Sequence, residues 1–310
     1  MKFDFEKYLE KFNRDFEASL KGNSRAFPLS NSYLKRTPFP KSRSVLALDM
    51  GGTNVRIAEV IFDEKGNPEV KNLRKFPMPG SIGHNALHVS EFFDIIANEI
   101  SAYDEEDVGI TFSYPCEILN DRDGRIICFS KQVKITDERD MHIGKELNRR
   151  LEKKRKITVL NDTVACLLGT ENANMSLILG TGLNICFQSE SGYIINTECG
   201  RYEGFPTYEF DFGPMTEQKV SGAYLNPLIE KLPYRKEEIY ERGAEMIATE
   251  IIGISGHTEG KVRLAVEGSV FYNVHPLREK ILSYLESYGP DFEILDGREK
   301  VLIGSAVGAL

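Results

Sequence analysis

The sequence predicts an α/β protein of two lobes, each built on a βββαβ core. Three observations predict this. The 310-residue chain is too long for one small core and fits two domains of ordinary size. Two apolar segments, SVLALD at 44–49 and SLILG at 176–180, each run into a glycine turn and double back as a hairpin. Similar elements follow each hairpin, so one supersecondary unit occurs twice, with its two turns expected to face a shared cleft.

Residues 2–21 carry Phe3, Tyr8, Leu9, Phe12, Phe16 and Leu20 at roughly helical spacing, so an amphipathic helix packed on the body is expected. Residues 22–44 hold proline, serine and basic residues without a period and read as an irregular surface connector. The first strand, 44–49, is broken by Gly51 and Gly52; strands at 54–62 and near 69–76 flank the turn DEKG. Phe92, Phe93, Ile96 and Ile100 mark a helix over 90–103, and DVGITFS at 107–113 is a strand. In the second half SLILG meets Gly182, NICFQ at 184–188 returns, and a third strand occupies 193–196. Helices over 215–231 and 236–252 precede the strand VRLAVEG at 262–268. On this division residues 1–44 pack on the larger lobe, 45–162 form the smaller lobe and 163–310 the larger. The C-terminal end is free to return to the smaller one.

Composition narrows the function. A hydrophobic share of 41% and a charged share of 28% are those of a soluble globular protein. Net charge is −8, and the one basic run, KKRK at 153–156, reads as a solvated face near a helix end, so nucleic acid is not expected as a partner. No window approaches 18 apolar residues and MKFDFEKYLEKF lacks a signal-peptide stretch, so no membrane partner is expected. The five cysteines (116, 128, 166, 186, 199) show no CxxC spacing and suit a reducing cytoplasm. His84 and His88 have no carboxylate or cysteine at ligand spacing, which argues against a metal site there. Nothing in the sequence marks an oligomeric state.

The two glycine turns carry the chemistry. Asp49 ends an apolar strand and is followed by Gly51, Gly52, Thr53 and Asn54. Adjacent glycines let the backbone approach a bulky anion, and their N–H groups with the Thr53 hydroxyl can cradle phosphate oxygens. A carboxylate beside them can hold hydrated Mg²⁺ through water. Gly180, Thr181 and Gly182 form a second clamp. The alternative is that both are tight hairpin turns in which glycine supplies a positive φ. Neither is a Walker A loop, and GTGLNI departs from GxGxxG at its last position.

From about residue 20 to the end, the chain resembles the hexokinase family in eight colinear segments. LALDMGGTNVRIAEV (46–60) resembles that family's first phosphate motif, ITFSYPC (110–116) its Ser-Phe-Pro-Cys sugar loop, and FSKQVK (129–134) its Thr-Lys turn. VLNDTVACLLG (159–169) is similar to the segment bearing the catalytic aspartate, LILGTGLNICF (177–187) to the second phosphate motif, and INTECG (195–200) to Asn-Thr-Glu-Trp-Gly. EQKVSGAYL (217–225) resembles a Glu-containing helix start and VEGSVFYNVHP (266–276) the adenosine motif. The C-terminal GSAVGAL resembles the start of the family's last helix.

The resemblance implies an actin-like, ribonuclease-H-like fold and phosphoryl transfer from MgATP to the 6-hydroxyl of a hexose, with glucose expected. Asp162 would be the base and Lys131 would neutralise charge near the transferred group. Ser113, Ser130, Lys131, Asn161, Asp162, Asn184, Glu198 and Glu217 would bind the sugar. Asp49, Gly51, Gly52, Thr53, Asn54, Gly180, Thr181, Gly182, Gly268, Ser269, Gly304 and Ser305 would bind ATP, with Asp49 meeting Mg²⁺ through water. On the residues alone, Asp162 or Thr163 could instead cap the helix that follows.

The chain departs from the pattern at several points. Cys199 replaces the Trp, FDFGPMT (210–216) replaces an Asn-Pro-Gly-x-Gln run, Leu183 replaces a small hydroxyl residue, and Glu267 stands for Asp. The chain is also shorter between Leu225 and Val266 than the family core. Two other readings follow: a sugar-binding sensor with a weakened kinase site, and an actin-like ATPase that needs no sugar.

Overall fold

The computed structural model describes residues 4–81, 86–129, 133–137 and 140–310. Helix α1 (Phe5–Leu20) starts where the Asp4 carboxylate accepts from the Lys7 amide, and it buries Phe12 and Phe16 on one face. After β1 (Ser30–Lys35) come the antiparallel strands β2 (Arg43–Met50), β3 (Asn54–Phe62) and β4 (Pro68–Pro77). Then follow β5 (Leu87–His88), α2 (Val89–Ser101) and β6 (Asp107–Phe112). His88 is the N-cap of α2: its Nδ1 accepts from the Ser90 amide while Glu91 accepts from the His88 amide, a reciprocal cap. Its partner in the expected histidine pair, His84, lies outside the described residues.

The chain continues through β7 (Cys116–Ile118), β8 (Gly124–Ile126), β9 (Ile135–Thr136), α3 (Ile143–Arg150), β10 (Lys156–Leu160) and α4 (Asp162–Gly169). The second half holds β11 (Met175–Leu179), β12 (Leu183–Gln188), β13 (Tyr193–Asn196), α5 (Glu217–Val220), α6 (Gly222–Lys231) and α7 (Lys236–Ser255). It closes with β14 (Val262–Glu267), α8 (Ser269–Asn273), α9 (His275–Tyr288), β15 (Phe292–Asp296) and α10 (Lys300–Gly308).

Contacts divide the chain into unit 1, residues 1–30 and 172–298, and unit 2, residues 31–171 and 299–310. The boundaries therefore fall at 30/31, 171/172 and 298/299 rather than at the expected 44/45 and 162/163. The reason for the shift around α4 is α10. A Cβ on Gly304 would lie 1.7 Å from the Ala165 carbonyl oxygen, and one on Gly169 would lie 2.1 Å from that of Lys300. Two glycines thus let the C-terminal helix seat directly on α4, which keeps α4 with unit 2.

In unit 2 the strands run in the order β10-β6-β2-β3-β4, with β2, β6 and β10 parallel. In unit 1 the order β13-β12-β11-β14-β15 repeats the arrangement, an antiparallel hairpin set continued by parallel strands. Each unit has its own apolar core. Unit 1 is centred on Phe12, Phe16, Leu177, Ile185 and Ile247, and unit 2 on Leu48, Ile57, Phe92, Ile110 and Val159.

Three local expectations are corrected. Strand β1 lies inside the expected connector, because Ser32 and Leu34 alternate inward in a segment too short and polar to show a period. The helix expected over 215–231 breaks at Ser221, which is extended at ψ 160° and starts α6. The KKRK run follows α3 instead of ending it, and Arg155 is buried, donating to the carbonyls of Tyr103, Asp104 and Glu105. Among the described residues no helix is long and apolar enough to cross a membrane.

Candidate functional site

In unit 2 the β2–β3 turn presents Gly51, Gly52, Thr53 and Asn54, with Gly52 and Thr53 exposed. The turn closes where the Gly51 amide donates to the Asn54 carbonyl, and Asn54 Nδ2 donates to Thr53 Oγ1 at 2.8 Å. Neither Gly51 nor Gly52 has a positive φ, and a Cβ on Gly51 would make only ordinary contact at 3.5 Å. Backbone conformation and internal crowding therefore do not require glycine at 51.

Asp49, at the end of β2, is paired with Arg56, whose Nε and Nη2 lie 2.8 and 2.7 Å from its Oδ2. Register places the two residues opposite each other on β2 and β3. Arg56 escaped the sequence reading; counting across the hairpin from Asp49 would have found it. Among the described residues no three His, Cys, Asp or Glu side chains gather to hold a metal. The donor set suits an ion that arrives on phosphates and keeps its waters, since Mg²⁺ is commonly met by one carboxylate.

Asp162 is the first residue of α4, and Asn161 is the cap, accepting from the Thr163 amide at 2.8 Å. This settles the capping alternative: neither Asp162 nor Thr163 is the N-cap. Asp162 Oδ1 accepts from the Thr163 amide at 2.8 Å, and its Oδ2 accepts from Ser113 Oγ at 2.9 Å. The carboxylate is thus held from both sides at a helix N-terminus, where negative charge is favoured. Ser130 and Lys131 lie outside the described residues.

In unit 1 the β11–β12 turn repeats the pattern. Gly180 and Gly182 lack positive φ, and a Cβ on either would meet its nearest neighbour at 3.5 or 3.6 Å. The carbonyls of Gly180 and Thr181 accept from the Gly222 and Ala223 amides at the start of α6. Gly268 comes up against Gly180; its φ of 117° and a Cβ that would lie 2.3 Å from the Leu179 backbone both require glycine. Ser269 follows, exposed, as the first residue of α8. The two phosphate- and adenosine-type segments of this unit therefore meet.

Beside that turn a relay orients the first glutamate: Asn184 Nδ2 donates to Asn196 Oδ1, and Asn196 Nδ2 donates to Glu198 Oε1, each at 2.8 Å. Glu198 itself sits at φ 51°, a left-handed conformation uncommon outside glycine and frequent at functional sites. Glu217 approaches the Gly182 position, and burial, then the Glu198 charge, pushes its carboxyl up. Two such carboxylates can accept hydrogen bonds from neutral hydroxyl donors. Asn196 lay within the INTECG segment yet was not among the expected contacts.

Gly304 and Ser305 correct the expected nucleotide set. Ser305 is fully buried, hydrogen-bonded to the Thr111 hydroxyl and pressed on Gly109 of β6, and Gly304 is pressed on Ala165. Neither has surface to offer a nucleotide, because both are spent on seating α10.

Beneath the glutamates lies a group with no signal in the sequence. Glu250 of α7 is fully buried, facing Cys199, Thr216 and Lys219, and burial pushes it up to about 8. Lys219, donating to the carbonyls of Phe205 and Pro214, is lowered to about 8 by burial. A raised carboxyl stabilises the fold fully below its unfolded value of 4.5, and that contribution is lost as pH rises through about 8. Lys219 titrates around 8, so the acid side of the window, up to about pH 7, belongs to Glu250. Glu250→Gln should gain stability relative to the parent across this window, by at most about 1.4 kcal/mol per pH unit. Urea unfolding from about pH 5 to about pH 7 checks it; a flat difference would mean that Glu250 is already ionised.

Two α/β units with one strand order, each opening on a glycine hairpin turn, define the actin-like ATPase class of fold. The structure superimposes on a hexokinase from Schistosoma mansoni solved with glucose (TM-score 0.83, 20% identity, covering 99% of this chain and 94% of that one). It also superimposes on a ROK hexokinase from Thermus thermophilus (TM-score 0.59, 18% identity, 86% and 98%). The family model for hexokinase matches residues 2–171, and the chain belongs to the hexokinase family. Hexokinase-1 of Schizosaccharomyces pombe is 24% identical over 90% of this chain and 66% of its own length. Human hexokinase-1 is 28% identical over 59% of this chain. The chain spans only about a quarter of the length of the mammalian relatives: 28% of the mouse hexokinase HKDC1 and 25% of human hexokinase-1.

Proposed function

We propose that the protein is an ATP-dependent hexose kinase that moves the γ-phosphoryl group of MgATP to the 6-hydroxyl of a hexose, with glucose preferred. The observation that carries this reading is Asp162, fixed at the head of α4 by Ser113 and the Thr163 amide. As base it accepts the proton of the sugar hydroxyl, whose oxygen attacks the γ-phosphorus while the bond to ADP breaks. Such transfer passes through a loose transition state, so placement and charge neutralisation do most of the work.

On this reading Lys131 neutralises charge on the transferred group, and Asn161, Ser113, Ser130, Asn184, Glu198 and Glu217 bind sugar hydroxyls. The two glycine turns, with Gly268 and Ser269, receive the nucleotide, and Asp49 meets its Mg²⁺ through water. The cysteine usage of the sequence, with no CxxC spacing, suits a cytoplasmic setting. The presence of two close carboxylates in unit 1 favours a kinase over a sugar-independent ATPase.

The test is ADP release from MgATP with glucose, mannose, fructose or no sugar. Release that requires a hexose, fastest at low concentration with glucose, is expected. Release without sugar would replace this reading with the ATPase, and sugar binding without release would replace it with the sensor.

A further inference from the structure

Among the described residues, the Tyr114 phenol is the one side-chain group hydrogen-bonded to the backbone carbonyls of the first glycine turn. Its hydroxyl lies 3.1 Å from the Gly51 carbonyl oxygen and 2.9 Å from that of Gly52, so its single proton is shared between them. The ring is 5% exposed and packs on Phe112 and Phe129 at centroid distances of 5.3 and 5.2 Å. Burial pushes the phenol up, which keeps it a donor. The phenylalanine of Ser-Phe-Pro-Cys could fill the same space but could not make this bond.

The consequence follows from peptide geometry. No described peptide bond is cis, so each amide N–H points opposite to the carbonyl of the preceding residue. With the carbonyls of Gly51 and Gly52 turned onto Tyr114, the N–H groups of Gly52 and Thr53 point to the other side. Among the described residues those two amides donate no backbone hydrogen bond. They are therefore aimed outward as a pair, at the exposed face of the turn. Two consecutive glycines would otherwise sample many conformations, and ordering them on binding would cost affinity. Next to Tyr114, the Ser113 amide donates to the Met50 carbonyl and its hydroxyl donates to Asp162. One dipeptide thus holds both the phosphate turn and the proposed base.

We propose that Tyr114 is a positioning residue for the nucleotide: its hydroxyl presets the Gly52 and Thr53 amides as an anion cradle for the phosphates of MgATP. The inference rests on the kinase reading only for the identity of the anion. Tyr114→Phe keeps the ring and removes the bond.

MgATP and glucose binding are measured directly by calorimetry on the parent and Tyr114→Phe, alongside ADP release. A net hydrogen bond in this range corresponds to an affinity loss of about three- to tenfold for MgATP. The expected result is that loss, with glucose affinity unchanged and the KM for MgATP raised by the same factor at a little-changed kcat. MgATP affinity within about twofold of the parent overturns the proposal. Equal losses for both ligands also overturn it, because they mean general loosening. Parent protein that binds MgATP yet releases no ADP with sugar sinks the kinase reading alone; parent protein that binds no MgATP sinks both.

Discussion

Asp162→Asn is expected to cut sugar-dependent ADP release by about a hundred- to ten-thousandfold, the usual contribution of a positioned general base. The substitution keeps Oδ1 for the Thr163 amide and keeps a partner for Ser113, so the head of α4 stays formed. What it removes is the negative charge that takes the proton. On the proposed reading glucose affinity should change little, because Asn161, Asn184, Glu198 and Glu217 still hold its hydroxyls. Steady-state kinetics with glucose as variable substrate separates the two: a collapse in kcat with a nearly constant KM identifies a transition-state role. Retention of more than about a tenth of the parent rate would remove Asp162 from the role of base.

Arg242→Met is expected to lower stability by about 3–5 kcal/mol, a large fraction of what holds an ordinary domain folded. Arg242 grips Asp211 with Nη1 at 3.1 Å and Nη2 at 2.6 Å, and the Asp211 side chain has no exposure at all. The guanidinium also lies 4.6 Å from the Tyr208 ring and 5.0 Å from the Phe210 ring. Removing the arginine leaves a carboxylate buried without its charge partner, which costs far more than the pair contributes. The double variant Asp211→Leu/Arg242→Met should recover most of the loss, since both charges go together. Chemical denaturation of the two variants decides it. A single variant within about 1 kcal/mol of the parent would mean that Asp211 finds water on relaxation. The pair matters beyond stability because Asp211 anchors FDFGPMT, the run leading directly to Glu217.

Much of the fold was legible in residue order. The hairpins after 44–49 and 176–180 could be read because continuous apolar strands end at glycine, a signal confined to a few neighbouring residues. The amphipathic helix over 5–20 was legible for the same reason. Strand β1 was not, because six residues with two buried positions carry too little pattern. The break at Ser221 was not either, since it is set by the β11–β12 turn, whose carbonyls capture the first amides of α6.

The candidate site divides in the same way. Asp162, Asn161 and the two glycine turns stood out through local chemistry and resemblance. Arg56 became a partner of Asp49 only through strand register. Tyr114 gained its role only because β6 delivers its hydroxyl beneath a turn more than sixty residues away in sequence. Gly304 and Ser305 looked like nucleotide ligands by resemblance, and packing turned them into the seat of α10.

By itself, then, the sequence determined the duplicated α/β order, the two glycine turns and the types of side chain that accompany them, because these depend on spacing between near neighbours. Tertiary structure decided which charges are neutralised, which acids are buried and which residues serve packing alone. Glu250 shows why: burial raises a carboxyl by removing water, and water is excluded by elements that α7 does not encode.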